Sequence, residues 1–568
     1  MTATADRGET RTGVETAEVS LDAAALTQCR RRVHLDHDPA AATLPRALPD
    51  PALEQRRRDA AEHRRRIGAR LAKAVGDGWY EVPSTGGITG RVAATTAAVE
   101  AGAPFVWRGL LPEVPGERRR GGADLLVRLP SGGYLPVIVV RHRVTDPGHG
   151  ALTSPLTQPF PAAASEDPER RPRSRPRDLL RLAHLHRMLQ SLGWAPPDGA
   201  PHRHLGGVIG LDADVVVWHD LDAVHWPEDR TTFEEYDARF ADRLAVATAA
   251  ATGATPLARP SRVTECRRCP WWPTCEAELR RTEDVSLVAS GETAVALREI
   301  GITTVSQLAA CDRDHEPDPP VPGPPFSDLV ALARAWRRGL TVVRRVPVVE
   351  VPRADVEVDI DMESFGESGA YLWGTLLTRP GGTLPGDEPE GYRAFVTWEP
   401  VPTDDEARSF AEFWAWLTKV RMSAAATGRT FAAYCYNEQA ENRWLLASAR
   451  RFAGRPGIPT VDEVEEFIAA PWWIDLFTLV GEWFLCAHGK SLKRIAPVAG
   501  FSWRDPEASG ENSMRWYRDA VGMDGAPPDP AQRERLIVYN TDDVLATRAL
   551  REWMSTRAVH TVPLVTEL

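Results

Sequence analysis

Four acidic side chains alternate along one short stretch, ADVEVDIDMESF at residues 354–365: Glu357, Asp359, Asp361 and Glu363. Val356, Val358, Ile360 and Met362 fall between them, and a period of two predicts a strand with one apolar and one acidic face. Carboxylates two apart on a strand stand about 7 Å from one another, and Asp is a poor strand former, so this face carries a repulsion that nothing within the stretch offsets. Several hard oxygen ligands together are what a divalent cation takes. The other reading is an edge strand whose acidic face is solvated. A second acidic signal lies near the C-terminus, where RERLIVYNTDDVLATRALREWM places Leu536, Val544 and Leu550 at helical spacing. Tyr539 and Asp543 are four apart on that helix and share a face.

A softer chemistry is set out in TECRRCPWWPTC, residues 264–275, which brings Cys266, Cys269 and Cys275 close together. Thiolates suit zinc or an iron-sulfur cluster, and three are one short of a closed site. Cys29, in LTQCRRRVHLDHDP, is the other cysteine of the N-terminal half. Seven cysteines in 568 residues are too sparse for a disulfide scaffold. Cys311, Cys435 and Cys486 are scattered and are expected as small buried apolar residues.

The elements that must position these groups follow from length and pattern. A chain of 568 residues exceeds one ordinary core, and 47 Pro with 43 Gly imply many turns. The predicted organisation is α/β and multidomain. Residues 1–19 form a disordered tail. Residues 20–282 alternate Arg-rich helical patterns (PALEQRRRDAAEHRRRIGARLAKAV) with short strands (GADLLVRL, YLPVIVVRH, GVIGLDADVVVW). SLVASGETAVALREIGITTVSQLAA, within 283–311, reads as two short helices about a Gly turn, residues 312–350 as a linker opened by a Pro-rich acidic run, and 351–568 as a second α/β domain. No signal peptide or long apolar run is legible, so the expected location is the cytoplasm, with no membrane partner. The net charge of -11 argues against a general polyanion binder, yet arginines come in blocks at 56–58, 64–66, 118–120 and 170–177. Such blocks are either solvated helix faces with a disordered basic loop or a local phosphate-binding surface.

One upstream cysteine with a C-terminal CxxCx5C resembles the iron-sulfur clamp of RecB-like nuclease domains. The resemblance implies a 4Fe-4S cluster on Cys29, Cys266, Cys269 and Cys275, with zinc the alternative, pinning the first helix of the domain to its last segment. His63 and Asp124 match the first two marks of the degenerate PD-(D/E)XK site of that family. The acid-x-Lys of the next strand is replaced by Arg141, His142 and Arg143, and RLAHL at 181–185 has Arg and Leu where Gln and Tyr are expected. A guanidinium repels a divalent metal, so this half is expected to keep a nucleic-acid groove without cutting, with Arg141 and Arg143 as phosphate contacts. The 283–311 pair resembles a helix-hairpin-helix, whose helix start near Gly291 holds a phosphate. A purely structural helix pair fits as well.

Asp-x-Glu on a first strand with Tyr-x-x-x-Asp on a late helix resembles the tyrosine-bearing DEDD 3'-to-5' exonucleases, an RNase H-like fold. In TFAAYCYNEQAENRWLL, Glu441 stands where that fold supplies its second acid, as in the YprB-type branch, with Glu438 a neighbouring competitor. GKSLKRIAPVAGF resembles the Ser-Leu-Lys helix of these domains and offers Lys493 as a substrate contact, while Asp475 in WWIDLFTLV is a further contact or a helix N-cap. The resemblance implies that Asp361, Glu363, Glu441 and Asp543 hold two Mg2+ or Mn2+ ions and that Tyr539 orients the attacking water; as a core aromatic, Tyr539 would have no such part. The order of parts resembles a bacterial RecB-like nuclease family from residue 20 onward. It implies a metal-dependent exonuclease on single-stranded DNA in repair, with RNA and a helicase partner left open. The alternatives are a non-catalytic nucleic-acid-binding iron-sulfur protein, or cutting retained at Asp124.

Overall fold

The computed structural model describes residues 18–568 apart from Ala213 and Asp524. Of the expected 1–19 tail, the described part is Glu18 and Val19; Glu18 accepts a hydrogen bond from the Arg118 guanidinium at 2.9 Å and Val19 packs against the core, so these two belong to the fold. The chain divides into two compact units, Met1–Leu279 and Arg280–Leu568.

The first unit is built on a mixed eight-stranded sheet. Its order is Trp79–Glu81, Phe105–Trp107, Leu125–Arg128, Tyr134–Val139, Leu205–Ile209, Val215–Asp220, Ala151–Pro155 and Ser165–Asp167. Both faces are covered, because the strands are apolar at consecutive positions: Leu126 and Ile138 pack against the helix Pro176–Ser191, whereas Leu125, Val127 and Val137 pack with Ile67 and Leu71 of the helix Pro51–Val75. The 170–177 run expected as a disordered loop contains a short strand, Arg170–Pro172, paired with Thr145–Pro147, and Pro176 opens the following helix in the first-turn position proline favours.

The second unit begins with two short helices, Glu292–Glu299 and Val305–Ala310, about a turn at Gly301. The expected linker 312–350 is corrected. Its Pro-rich opening and residues 345–350 lack regular structure, but FSDLVALARAWR forms the helix Phe326–Arg337 with Phe326, Leu329 and Val330 buried, and Val342–Arg344 pairs with Phe484–Cys486. Apolar spacing of three and four residues outweighs the bias of the upstream prolines. The main sheet of this unit has five strands in the order Gly391–Val396, Ala370–Thr378, Val356–Ser364, Phe431–Cys435, Trp473–Asp475. The first three chain segments form an antiparallel meander, and the last two add in parallel.

Val356–Ser364 therefore sits in the middle of the sheet rather than at an edge. Val356, Val358, Ile360 and Met362 pack on one face against Phe410, Phe413 and Trp416 of the helix Asp405–Ala426. The opposite, acidic face lies under the C-terminal helix Pro530–Met554, with Glu357, Asp359 and Glu363 buried and Asp361 partly buried, so it is not the solvated face of an edge strand. Of the three scattered cysteines, Cys435 is buried as expected, while Cys311 and Cys486 are only partly covered.

Candidate metal centre

The acidic face splits into a neutralised half and a charged half. Glu357 and Asp359 are fully buried, and Arg551 of the C-terminal helix reaches both. Its Nε and Nη2 donate to the two Asp359 carboxylate oxygens at 3.2 and 2.7 Å. Arg353 donates to both Glu357 oxygens at 2.6 and 2.9 Å, and the Tyr434 hydroxyl donates to Glu357 at 3.1 Å. Two acids thus meet two guanidiniums, and this half needs no metal. Tyr539, Asp543, Thr547 and Arg551 recur every four residues, so one stripe of the helix runs the length of the acidic strand.

Farther along, one ammonium, that of Lys493, answers three carboxylates. Asp361, Glu363 and Asp543 each offer one carboxylate oxygen, and those atoms all lie within 4.8 Å of one another. Glu363 and Asp543 are buried. Burial first, then the neighbouring carboxylates of Asp543, Glu363 and Glu441, raise the Asp361 pKa well above the ordinary range. The same causes, burial and then Asp543, push Glu363 up to about 8. Like charges this close cannot all ionise without a cation. A set of hard, converging oxygens is the donor set of Mg2+ or Mn2+, and the residues fit such an ion.

Supports of these ligands come from residues that pattern reading passed over. The Asn540 amide donates to Asp361 Oδ2 at 2.7 Å and accepts from the Tyr392 hydroxyl at 2.8 Å. Asn540 approaches the Ala370–Thr378 strand so closely that a Cβ on Gly374 would stand 1.6 Å from its Oδ1, which is why a glycine interrupts that strand. Ser513 donates to Glu363 at 3.2 Å. Trp503 Nε1 donates to Asp543 Oδ1 at 2.6 Å. Asn540 was findable in principle, because it precedes Asp543 by three residues and shares its helical face; Trp503 and Ser513 leave no such trace. Asn540→Ala should weaken Mn2+ binding by about 10-fold to 100-fold, the usual cost of losing an outer hydrogen-bond partner of a metal ligand. Gly374→Ala should weaken it in the same direction without touching a carboxylate, and calorimetric titration of Mn2+ reads both.

Lys493, on the short helix Leu492–Ile495, lies inside the group: its Nζ is 3.0 and 3.2 Å from the two Asp543 oxygens and 3.2 Å from the Tyr539 hydroxyl. Tyr539 is buried, and burial followed by the charges of Glu363, Asp543 and Asp361 raises its pKa strongly, so the phenol keeps its proton. Glu441, near the start of the helix Gln439–Arg451, is buried, and its Oε2 has no hydrogen-bond partner. Burial first, then Asp475, Glu363 and Glu438, push its pKa up to about 8. It stands outside the trio whose oxygens converge within 4.8 Å. Asp475 caps the helix Leu476–Trp483, accepting from the Phe477 and Asn437 backbone N–H groups at 2.9 and 2.8 Å and from the Thr478 hydroxyl at 2.7 Å. Of its two readings the N-cap is the one the structure displays.

The raised Glu441 pKa has a signed consequence. Between the ordinary carboxylate range and about pH 8, folded metal-free protein holds a proton there that the unfolded chain has released. That contribution to stability is complete at low pH and is lost as pH rises through about 8. Glu441→Gln removes the titration, so in EDTA the variant should gain stability relative to the parent by more than about 1 kcal/mol between roughly pH 5 and 9. Urea midpoints across that range check it.

In the first unit the residues matched to a nuclease site are held differently. Asp124 accepts from the Val139 backbone at 2.8 Å and pairs with Arg181 at 3.1 Å and Arg64 at 3.4 Å. Arg181 is the residue standing where Gln is expected. Arg141 lies 3.3 Å from Asp59, Arg143 is exposed, and His63 is buried with Nε2 3.1 Å from the Gly210 carbonyl oxygen. Burial and then Arg66 lower the His63 pKa. Asp124 belongs to no converging ligand group among the described residues. A cavity of about 650 Å³ lined by Arg64, Arg65, Arg91, Arg108 and Asp124 opens here.

Cys29 caps the helix Arg30–His37, its Sγ accepting from the Arg32 backbone N–H, while its own N–H donates to Glu265 at 2.6 Å. Trp271 Nε1 donates to Asp36 at 2.7 Å, and Cys269 packs with Leu35, Trp271 and Cys275. The first helix is thereby fixed to the 264–275 segment. Burial, with further contributions from Cys269 and Cys266, pushes the Cys29 thiol up to about 11, and burial pushes Cys275 up to about 12, with the other three thiols adding to it. These sulfurs do not form a group of three within 4.8 Å. A single tetrahedral zinc with bonds near 2.3 Å would hold its sulfurs about 3.8 Å apart.

Among the described residues no helix is long and apolar enough to cross a membrane. No curated protein and no solved structure matches the chain. Residues 461–555, which include Lys493, Trp503, Tyr539 and Asp543, match the family model of the RNase_H superfamily. The protein is a mixed α/β chain of more than one unit whose C-terminal part carries an RNase H-like domain, the kind of domain that acts on nucleic acid with Mg2+ or Mn2+.

Proposed function

We propose that the chain is a metal-dependent exonuclease that removes nucleotides from the 3' end of single-stranded DNA during repair, with hydrolysis in the second unit and strand binding in the first. The convergence of Asp361, Glu363 and Asp543 on one point, three carboxylates met by the single ammonium of Lys493 where Glu357 and Asp359 are met by two guanidiniums, carries the reading. A divalent ion bound there would polarise the scissile phosphate and lower the pKa of a bound water. The chain's own groups do the rest. Asn540, Ser513 and Trp503 fix the carboxylates in place. The Tyr539 hydroxyl accepts from Lys493 and keeps its proton, so it orients a water by donating to it rather than acting as a base. The Lys493 ammonium offers positive charge to a phosphate oxygen.

In the first unit the guanidiniums of Arg64 and Arg181 lie beside Asp124, the residue that resembles a metal ligand of RecB-like nucleases. Arginines there suit phosphate contact and disfavour a cation, which supports a guiding role for Arg64, Arg141 and Arg143. The attachment of Cys29 and its helix to the segment that carries Cys266, Cys269 and Cys275 supports a 4Fe-4S cluster on these four thiols, with zinc the alternative; a brown colour in anaerobically purified protein supports it, and colourless protein with stoichiometric zinc opposes it. The test is cleavage of end-labelled single strands with Mn2+. Loss in Asp361→Ala with retention in Asp124→Ala is expected. The reverse pattern, or binding without cleavage by the parent protein, overturns the assignment.

A further inference from the structure

We propose that Lys493 fills one of the two cation places expected at the carboxylate cluster, so that the site takes a single divalent ion. This rests on the metal-dependent reading above and changes what the site holds. A carboxylate oxygen accepts about two hydrogen bonds or ligand bonds. Asp543 Oδ1 already takes two, from Lys493 at 3.0 Å and from Trp503 at 2.6 Å, and Oδ2 takes one from Lys493 at 3.2 Å. Asp361 Oδ2 takes the Asn540 amide at 2.7 Å, and Asn540 is itself fully buried and fixed by Tyr392. A pair of ions would share Asp543, and there Oδ1 has no place left while the Lys493 ammonium lies against Oδ2 as well. What remains is one oxygen from each of Asp361, Glu363 and Asp543, all within 4.8 Å, which is the donor set of one ion.

The ammonium is held where it stands by more than charge. Its stem helix is fixed by burial of Ile495 and Ala496. Nζ lies 4.6 Å from the centre of the Tyr539 ring and 5.0 Å from that of Trp503, both aromatic faces favourable to a cation. A permanent positive charge at that point repels a second dication while supplying part of the charge that the dication would have brought.

Mn2+ bound per full-length chain, measured by equilibrium dialysis and electron paramagnetic resonance, with the count in Asp361→Ala subtracted, reads the number directly. One ion is expected in the parent protein, with the resolved hyperfine pattern of an isolated Mn2+. Lys493→Met keeps the length of the stem and removes the charge; it should take two ions, and show the altered spectrum of a coupled pair. Lys493→Arg retains the charge and should stay at one. Two ions in the parent protein, or one in Lys493→Met, overturns the inference and leaves metal-dependent hydrolysis standing. No Mn2+ lost on Asp361→Ala overturns both.

Discussion

Asp361→Asn should abolish cleavage and, in the absence of metal, make the protein more stable. The two effects have one cause. Asp361 is pressed against Asp543, Glu363 and Glu441, which with burial raise its pKa, and removing one charge from such a group relieves repulsion that only a bound cation otherwise offsets. A gain of about 1 kcal/mol in EDTA is expected, in the range typical when a strained functional site is relaxed. Losing a metal ligand forfeits several kcal/mol of transition-state stabilisation, about 4 of which correspond to roughly a thousandfold in rate. Added Mn2+ should stabilise the parent protein and leave the variant unmoved, because a ligand that binds only the folded form shifts the midpoint only where its site survives. Thermal melts with and without Mn2+, beside initial cleavage rates, report all three.

Arg551→Met should have the largest effect on folding. Arg551 is fully buried and answers two fully buried carboxylates, Glu357 and Asp359. Truncating one partner of a buried ion pair costs about 3–5 kcal/mol, since the other charge is left without compensation. Arg353 still reaches Glu357, so the uncompensated group is Asp359. The triple variant Arg551→Met with Glu357→Gln and Asp359→Asn should recover most of the loss, because an apolar or neutral replacement of the whole buried set is often nearly neutral. Urea unfolding of the single and triple variants separates this from simple cavity formation: a cavity would persist in the triple variant and an orphaned charge would not.

That pair also shows what pattern reading could and could not see. The alternation of ADVEVDIDMESF is enough to give the strand, its apolar face and its acidic face, and helical spacing is enough to put Tyr539 beside Asp543. Repulsion along the strand is real, but half of it is answered by a guanidinium that follows Asp543 by eight residues and reaches a strand 192 positions earlier in the chain for Asp359. No local rule links those positions. The contacts of Asn540 with Asp361, Ser513 with Glu363 and Trp503 with Asp543 likewise follow no local rule, because outer contacts depend on which elements the fold brings together. The helix Phe326–Arg337 was hidden for a different reason, the prolines before it dominating a reading that averages over a window. In the first unit, Arg141, Arg143 and Arg181 were legible as residue types; that Arg181 closes directly on Asp124 needed the fold.

The measurement that bears most directly on the account is an anomalous difference map from a crystal of the protein soaked in Mn2+. A peak within coordination distance of Asp361, Glu363 and Asp543 together is predicted, with no peak between Glu357, Asp359 and Arg551. A saturating soak that leaves the three carboxylates empty, or that places Mn2+ beside Asp124 instead, contradicts it.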